Sequence, residues 1–140
     1  MWQNKIMAAT GKTSLEHDNK IANLSFSNIY SAYLNKISKK GRTEEELRLV
    51  ITWLTGFEGD VLNDFINGKE TLKDFFDKAN LNPNSKDIKG VICGYRIEEI
   101  KTPLTRNCRY LDKLVDELAK GKELKKIFRK KLVDATFKHA

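Results

Sequence analysis

The sequence predicts an all-α fold, a single compact domain of six or seven helices in a chain of 140 residues. Apolar residues recur at the i, i+3, i+4, i+7 spacing of a helix face from Phe26 onward. Cap residues bracket these runs in helical order, with Ser or Thr in front and Gly behind. A chain of this length buries about 68–70% of its unfolded surface, so it can build a core without disulfides or a structural metal.

Residues 1–20 show no apolar periodicity and are expected to form a flexible lead-in. The domain should then span residues 21–132, with 133–140 as a frayed tail. Ser25 caps a first helix on which Phe26, Ile29, Tyr30, Tyr33, Leu34 and Ile37 share a face, and Lys39, Lys40 and Gly41 close it. "TEEE" sets Thr43 and Glu46 at the capping-box spacing, so two free N–H groups of the first turn are satisfied reciprocally. The second helix carries Leu47, Val50, Ile51 and Leu54 as its stripe, widened by Leu49 and Trp53, and Gly56 ends it. A short third helix should bury Val61, Leu62, Phe65 and Ile66. A fourth, opened by Thr71 with Asp74 three residues on, should bury Leu72, Phe75 and Phe76. "NLNPNS" then breaks the chain, because the residue before Pro83 is steered out of the α region.

"DIKGVICGYRIEEI", residues 87–100, fits both periodicities. Alternation puts Val91, Cys93, Tyr95 and Ile97 on one face of a strand, whereas helical spacing aligns Ile88, Val91, Ile92 and Tyr95. Helix is the expectation, since no second strand offers a partner and a lone strand leaves its backbone groups unsatisfied. Gly90 and Gly94 would then lie a turn apart on one face, implying that a bulky neighbour packs closely there. Thr102-Pro103 starts a long amphipathic helix through Leu104, Cys108, Leu111, Val115 and Leu118 to Gly121, and Leu124, Ile127, Phe128 and Leu132 indicate a last one.

The net charge of +7 is unevenly placed: residues 1–100 hold fourteen Lys/Arg and fourteen Asp/Glu, whereas 101–140 hold twelve against five. Lys122, Lys125, Lys126, Arg129 and Lys130 are therefore the candidate anion-binding residues, on the last helix opposite its apolar stripe. That face has no interleaved aromatic residue, so binding of nucleic acid there would be electrostatic and indifferent to sequence. Arg96, Glu99 and Arg109 are the candidate polar site, if neighbouring helices bring them together; otherwise Arg96 and Glu99 are an exposed helix ladder.

Little in the chain points to catalysis. Its two histidines, His17 and His139, have no i,i+4 partner and no nearby cysteine, so no metal site and no cofactor are expected. Cys93 and Cys108 lack a CxxC and fall in apolar stretches, where a buried thiol behaves as a small hydrophobe. Asp112 and Asp116 form too small a ligand set for a cation. No catalytic residue is assigned. With no apolar run of membrane-spanning length, no signal-like segment and two unpaired cysteines, a cytoplasmic protein that does not enter the membrane is expected.

The phrases "KKGRTEEE", "WLTGF", "NPN", "GVICGYRIEEI" and "RYLDKLVDELAKGK" together resemble domain of unknown function 2200, a family of uncharacterised bacterial proteins. The resemblance runs from about Asn23 to Lys130 and departs at Lys101-Thr102, where the family pattern is more acidic. It implies a small cytosolic bacterial protein and carries no activity or catalytic residues across. The expectation is therefore a non-enzymatic binding or regulatory module acting through protein contacts. A nucleic-acid-associated protein using its basic C-terminal helix is the alternative.

Overall fold

In the computed structural model, residues 14–129 are described. Seven α-helices lie among them: α1 (Leu15–Ala22), α2 (Phe26–Ser38), α3 (Glu44–Thr55), α4 (Gly59–Ile66), α5 (Leu72–Lys78), α6 (Pro103–Ala119) and α7 (Leu124–Ile127). Between α5 and α6 come a 3-10 turn (Pro83–Asp87), a short antiparallel pair β1 (Val91–Ile92) and β2 (Tyr95–Arg96), and a second 3-10 turn (Ile97–Glu99). The fold is mostly helical, as the periodicity predicts.

Helix α6 packs against α1, α2, α3, α5 and α7, and its apolar face (Leu111, Leu114, Val115 and Leu118) lies in the centre of the core. At the other side sits an aromatic cluster. Phe75 stacks on Phe26 at 3.9 Å and meets Phe65 edge-on at 5.1 Å and Phe57 tilted at 5.1 Å.

The helix starts lie where the caps predict them. Ser25 accepts from the Asn28 N–H, and Thr43–Glu46 and Thr71–Asp74 both form complete capping boxes. Two of these starts also clasp each other, the Phe26 N–H donating to the Glu70 carbonyl at 3.0 Å and the Leu72 N–H to the Leu24 carbonyl at 2.8 Å. At the end of α3, the Asn80 and Asn82 N–H groups take the Thr55 and Leu54 carbonyls at 2.9 Å, and the Asn82 amide takes Trp53 at 3.0 Å. Loop 80–82 thereby satisfies carbonyls that a helix end leaves open.

Residues 87–100 are not a helix. Cys93 (φ 54°) and Gly94 (φ 83°) form a two-residue turn that folds the segment back on itself, so Val91 pairs with Arg96 and Ile92 with Tyr95. Positive φ at both central residues is what a tight hairpin turn with the sheet's twist requires. The missing strand partner is the segment itself. The Gly90 carbonyl accepts from the Ile97 N–H at 2.9 Å and the Gly90 N–H donates to the Glu98 carboxylate at 2.9 Å, closing the hairpin base. Close packing of the glycines is also overturned, because a Cβ on Gly94 would meet nothing within 4 Å. A side chain there is disfavoured by its left-handed backbone, at roughly 1–2 kcal/mol.

The expected lead-in is corrected as well. Helix α1 begins at Leu15, before the expected domain start at residue 21, and Ser14 caps it by accepting from the His17 N–H at 3.0 Å. Eight residues with one buried apolar side chain, Ile21, give almost no periodic signal, and polar contacts of His17 and Asp18 add to the hold of Ile21. Two stripe assignments also change, Leu49 and Val61 being 46% and 52% exposed. Residues 1–13 and 130–140, with Lys130, Leu132, His139 and the expected tail, lie outside the described residues.

Candidate functional site

Two polar regions stand out, one under the hairpin and one between α3 and α4. In the first, α1, the hairpin, α2 and α6 converge. The His17 ring stacks on Tyr95 at 5.6 Å with Nε2 2.8 Å from the Tyr95 hydroxyl, and the Arg109 guanidinium lies 4.5 Å from the Tyr95 ring centre. Arg109 donates to Asp112 at 2.7 Å, and the other oxygen of that carboxylate accepts from the Tyr33 hydroxyl at 2.5 Å. Burial, then the Asp112 charge, hold Tyr33 well above the usual phenol range, so its proton stays in that bond. Burial and the cation of Arg109 lower His17, which leaves a neutral imidazole against Tyr95. On the same side, Thr102 and Thr105 donate to the Asp18 carboxylate at 2.7 and 2.6 Å. Thr102 therefore anchors α1 instead of capping α6 through its own side chain.

The expected polar site separates within this geometry. Arg96 and Glu99 form a half-exposed pair at 3.7 Å, while Arg109 is committed to Asp112 and Tyr95. Outside its own helix Arg109 meets Tyr95, on which His17 stacks, and through Asp112 it is linked to Tyr33; these three residues come from three other elements, and no sequence spacing relates them to it.

The two cysteines also part company. Cys108 is buried and its thiol is pushed up to about 12, by burial first and then by the Asp112 charge. Cys93, expected inside an apolar stripe, sits exposed at the hairpin tip. Ellman's reagent should accordingly titrate one thiol in the folded protein and the second only after unfolding, and Cys93→Ser should abolish the first reaction. Two fast thiols, or none, would contradict these environments. Among the described residues no three His, Cys, Asp or Glu side chains gather as a metal-ligand group.

The basic C-terminal face is likewise rearranged. Arg129 turns inward and makes a two-point bond with the buried Glu117 carboxylate at 2.7 and 2.9 Å. Lys122 lies 3.4 Å from the same carboxylate and Lys125 lies 3.8 Å from Glu123. Helix α7 is a single turn, Leu124–Ile127, with Phe128 stacked on Trp53 at 5.7 Å. Five cations on one outward helix face are not what forms, because an uncompensated Glu117 carboxylate in the core would cost more than withdrawing Arg129 from water.

The second region is a cleft of about 460 Å³ lined by Glu44, Glu45, Arg48, Leu49 and Thr52 of α3 with Glu58, Gly59 and Leu62 beside them. Thr52 donates to the Phe57 carbonyl at 2.6 Å and fixes the turn between α3 and α4. Arg48 reaches Asn63 at 2.6 Å, and the Tyr30 hydroxyl donates to Glu44 at 2.7 Å. Leu62 is buried at the floor and Leu49 is 46% exposed. The helix period carries the signal for Leu49. It lies two residues beyond Leu47, about 200° around the helix and so opposite the stripe.

The model of the family described as uncharacterized protein conserved in bacteria (DUF2200) matches residues 20–129. The chain belongs to this family. DUF2200 thus spans the cleft and the hairpin, while His17 and Asp18 precede the matched residues. The fold is also similar to the crystal structure of the uncharacterized protein SP1917, at a TM-score of 0.75 and 40% identity, covering 79% of this chain and 92% of that one. No curated protein matches. No described helix of this DUF2200 member is long and apolar enough to cross a membrane.

Proposed function

We propose that this DUF2200 protein is a non-enzymatic binding module that acts through protein contacts, with the α3–α4 cleft as its contact surface. The observation that carries the reading is the cleft itself. Leu49, 46% exposed, stands in a concavity closed below by the buried Leu62, with polar side chains on the rim. Recognition sites are concave and combine apolar surface with placed polar groups. The hairpin region supports the same reading from the other direction, since Arg109, Asp112 and Tyr33 are bonded to one another and Cys108 is held as a neutral thiol.

Affinity capture from the native host tests it, with and without nuclease, using the natural chain and the Leu49→Asp variant. Leu49 is about half exposed, so folding should change by no more than about 0.5 kcal/mol, which a melt checks. A captured protein that survives nuclease and is lost with the variant is expected. Capture that ignores the substitution, or that disappears with nuclease, would remove the cleft from this role.

A further inference from the structure

We propose that the occupant of the α3–α4 cleft is a basic amphipathic peptide segment of a partner protein, one that brings Lys or Arg side chains and an apolar anchor together. This rests on the cleft being a contact surface and goes on to assign the chemistry of what enters it. The whole chain carries a net charge of +7, yet the cleft is lined by Glu44, Glu45 and Glu58 against the single cation Arg48. An acidic concavity on a basic protein is a local reversal of sign. Low-dielectric walls such as Leu49 and Leu62 concentrate the field of charges around them.

The carboxylates differ in how committed they are. Glu44 already accepts from Tyr30 and Arg48 is bonded to Asn63. Among the described residues, Glu45 and Glu58 have no basic partner within ion-pair distance. Both are exposed at helix starts, Glu45 in the first turn of α3 and Glu58 at the N-cap of α4, and both remain open to an incoming cation. A cation placed there gains attraction, while a carboxylate or phosphate is repelled, and like-charge juxtaposition is a strong filter against wrong partners. The half-exposed Leu49 sets the second requirement, because a cation alone leaves it in water.

A second copy of this chain is the weaker occupant. Its described segment with suitable chemistry, residues 122–129, already has Ile127 fully buried and Phe128 stacked on Trp53. Docking it elsewhere would first strip that contact from its own core.

The test is a 15N–1H titration of the full chain with peptides that share one leucine spacing and differ only in carrying lysine, glutamate or serine at the intervening positions. The lysine–leucine peptide should move the Leu49, Thr52 and Leu62 signals, and its affinity should fall about tenfold or more between about 50 and about 500 mM salt as screening shortens. Glu45→Lys with Glu58→Lys should transfer the preference to the glutamate–leucine peptide, with the rest of the spectrum unchanged. Equal binding of the glutamate or serine peptide at the cleft would overturn the charge assignment and leave the contact surface standing. No shift at the cleft with the lysine–leucine peptide would overturn it too, whatever host capture shows. Cleft signals that move with protein concentration alone would assign the surface to a second copy and likewise overturn it.

Discussion

Phe75→Ala is expected to lower stability by about 3–5 kcal/mol, the range for removing a fully buried aromatic ring. Phe75 is fully buried and is the ring on which four others converge: Phe26 stacks on it, while Phe57, Phe65 and Phe76 pack around it at 5.1 Å each. Those neighbours belong to α2, α4, α5 and the turn before α4, so they cannot all move in to fill the space. The loss has a transfer part and a cavity part, and rigid surroundings keep the cavity part large. For a domain of this size the melting midpoint should fall on the order of 10–20 °C. Urea and thermal unfolding of the variant read it directly. A loss below about 1 kcal/mol would mean that the cluster collapses around the gap and that Phe75 is not its keystone.

The second large effect should come from Asp112→Ala. Its carboxylate satisfies both Arg109, whose side chain is 13% exposed, and the Tyr33 hydroxyl. Truncation leaves a mostly buried guanidinium without its counter-ion and a buried hydroxyl without its acceptor. Breaking a buried pair from one side typically costs about 3–5 kcal/mol, and the partial exposure here places the value near about 3. Replacing the whole network, with Tyr33→Phe, Arg109→Met and Asp112→Leu together, should recover most of that loss, because no unpaired polar group remains. If the triple variant is no more stable than Asp112→Ala, the loss comes from packing and not from the orphaned charge.

Local chemistry was readable wherever it is decided by a few neighbouring residues. Thr43–Glu46 and Thr71–Asp74 announce capping boxes because the groups that pair are three residues apart in any helix. The stripes of α2, α3 and α6 predict their buried faces for the same reason: one face of a helix with a period of 3.6 must find a core. Helix α1 was not readable, since one buried side chain gives no period. Its hold on the fold, through Asp18 to Thr102 and Thr105 and through His17 to Tyr95, joins residues far apart in the chain. Arg42 is a similar case. It pairs with Glu46 nearby, a contact that spacing suggests, and also donates to the Leu118 and Lys122 carbonyls at the end of α6, which no local pattern indicates.

By itself, then, the sequence determined the helical class, most helix boundaries and the family, because caps, periods and successive phrases are short-range properties of the chain. Only the tertiary structure decided the rest. Residues 87–100 carried both periodicities, and the positive φ of Cys93 and Gly94 turned them into a hairpin that supplies its own strand partner. Arg129 left the expected basic face because Glu117, twelve residues earlier, is buried and requires a cation. The cleft exists because α4 packs on α2 and its start comes beside the outward face of α3, leaving Leu49 and the carboxylates of Glu45 and Glu58 around one concavity. Concavity is a relation between elements, and no single segment contains it.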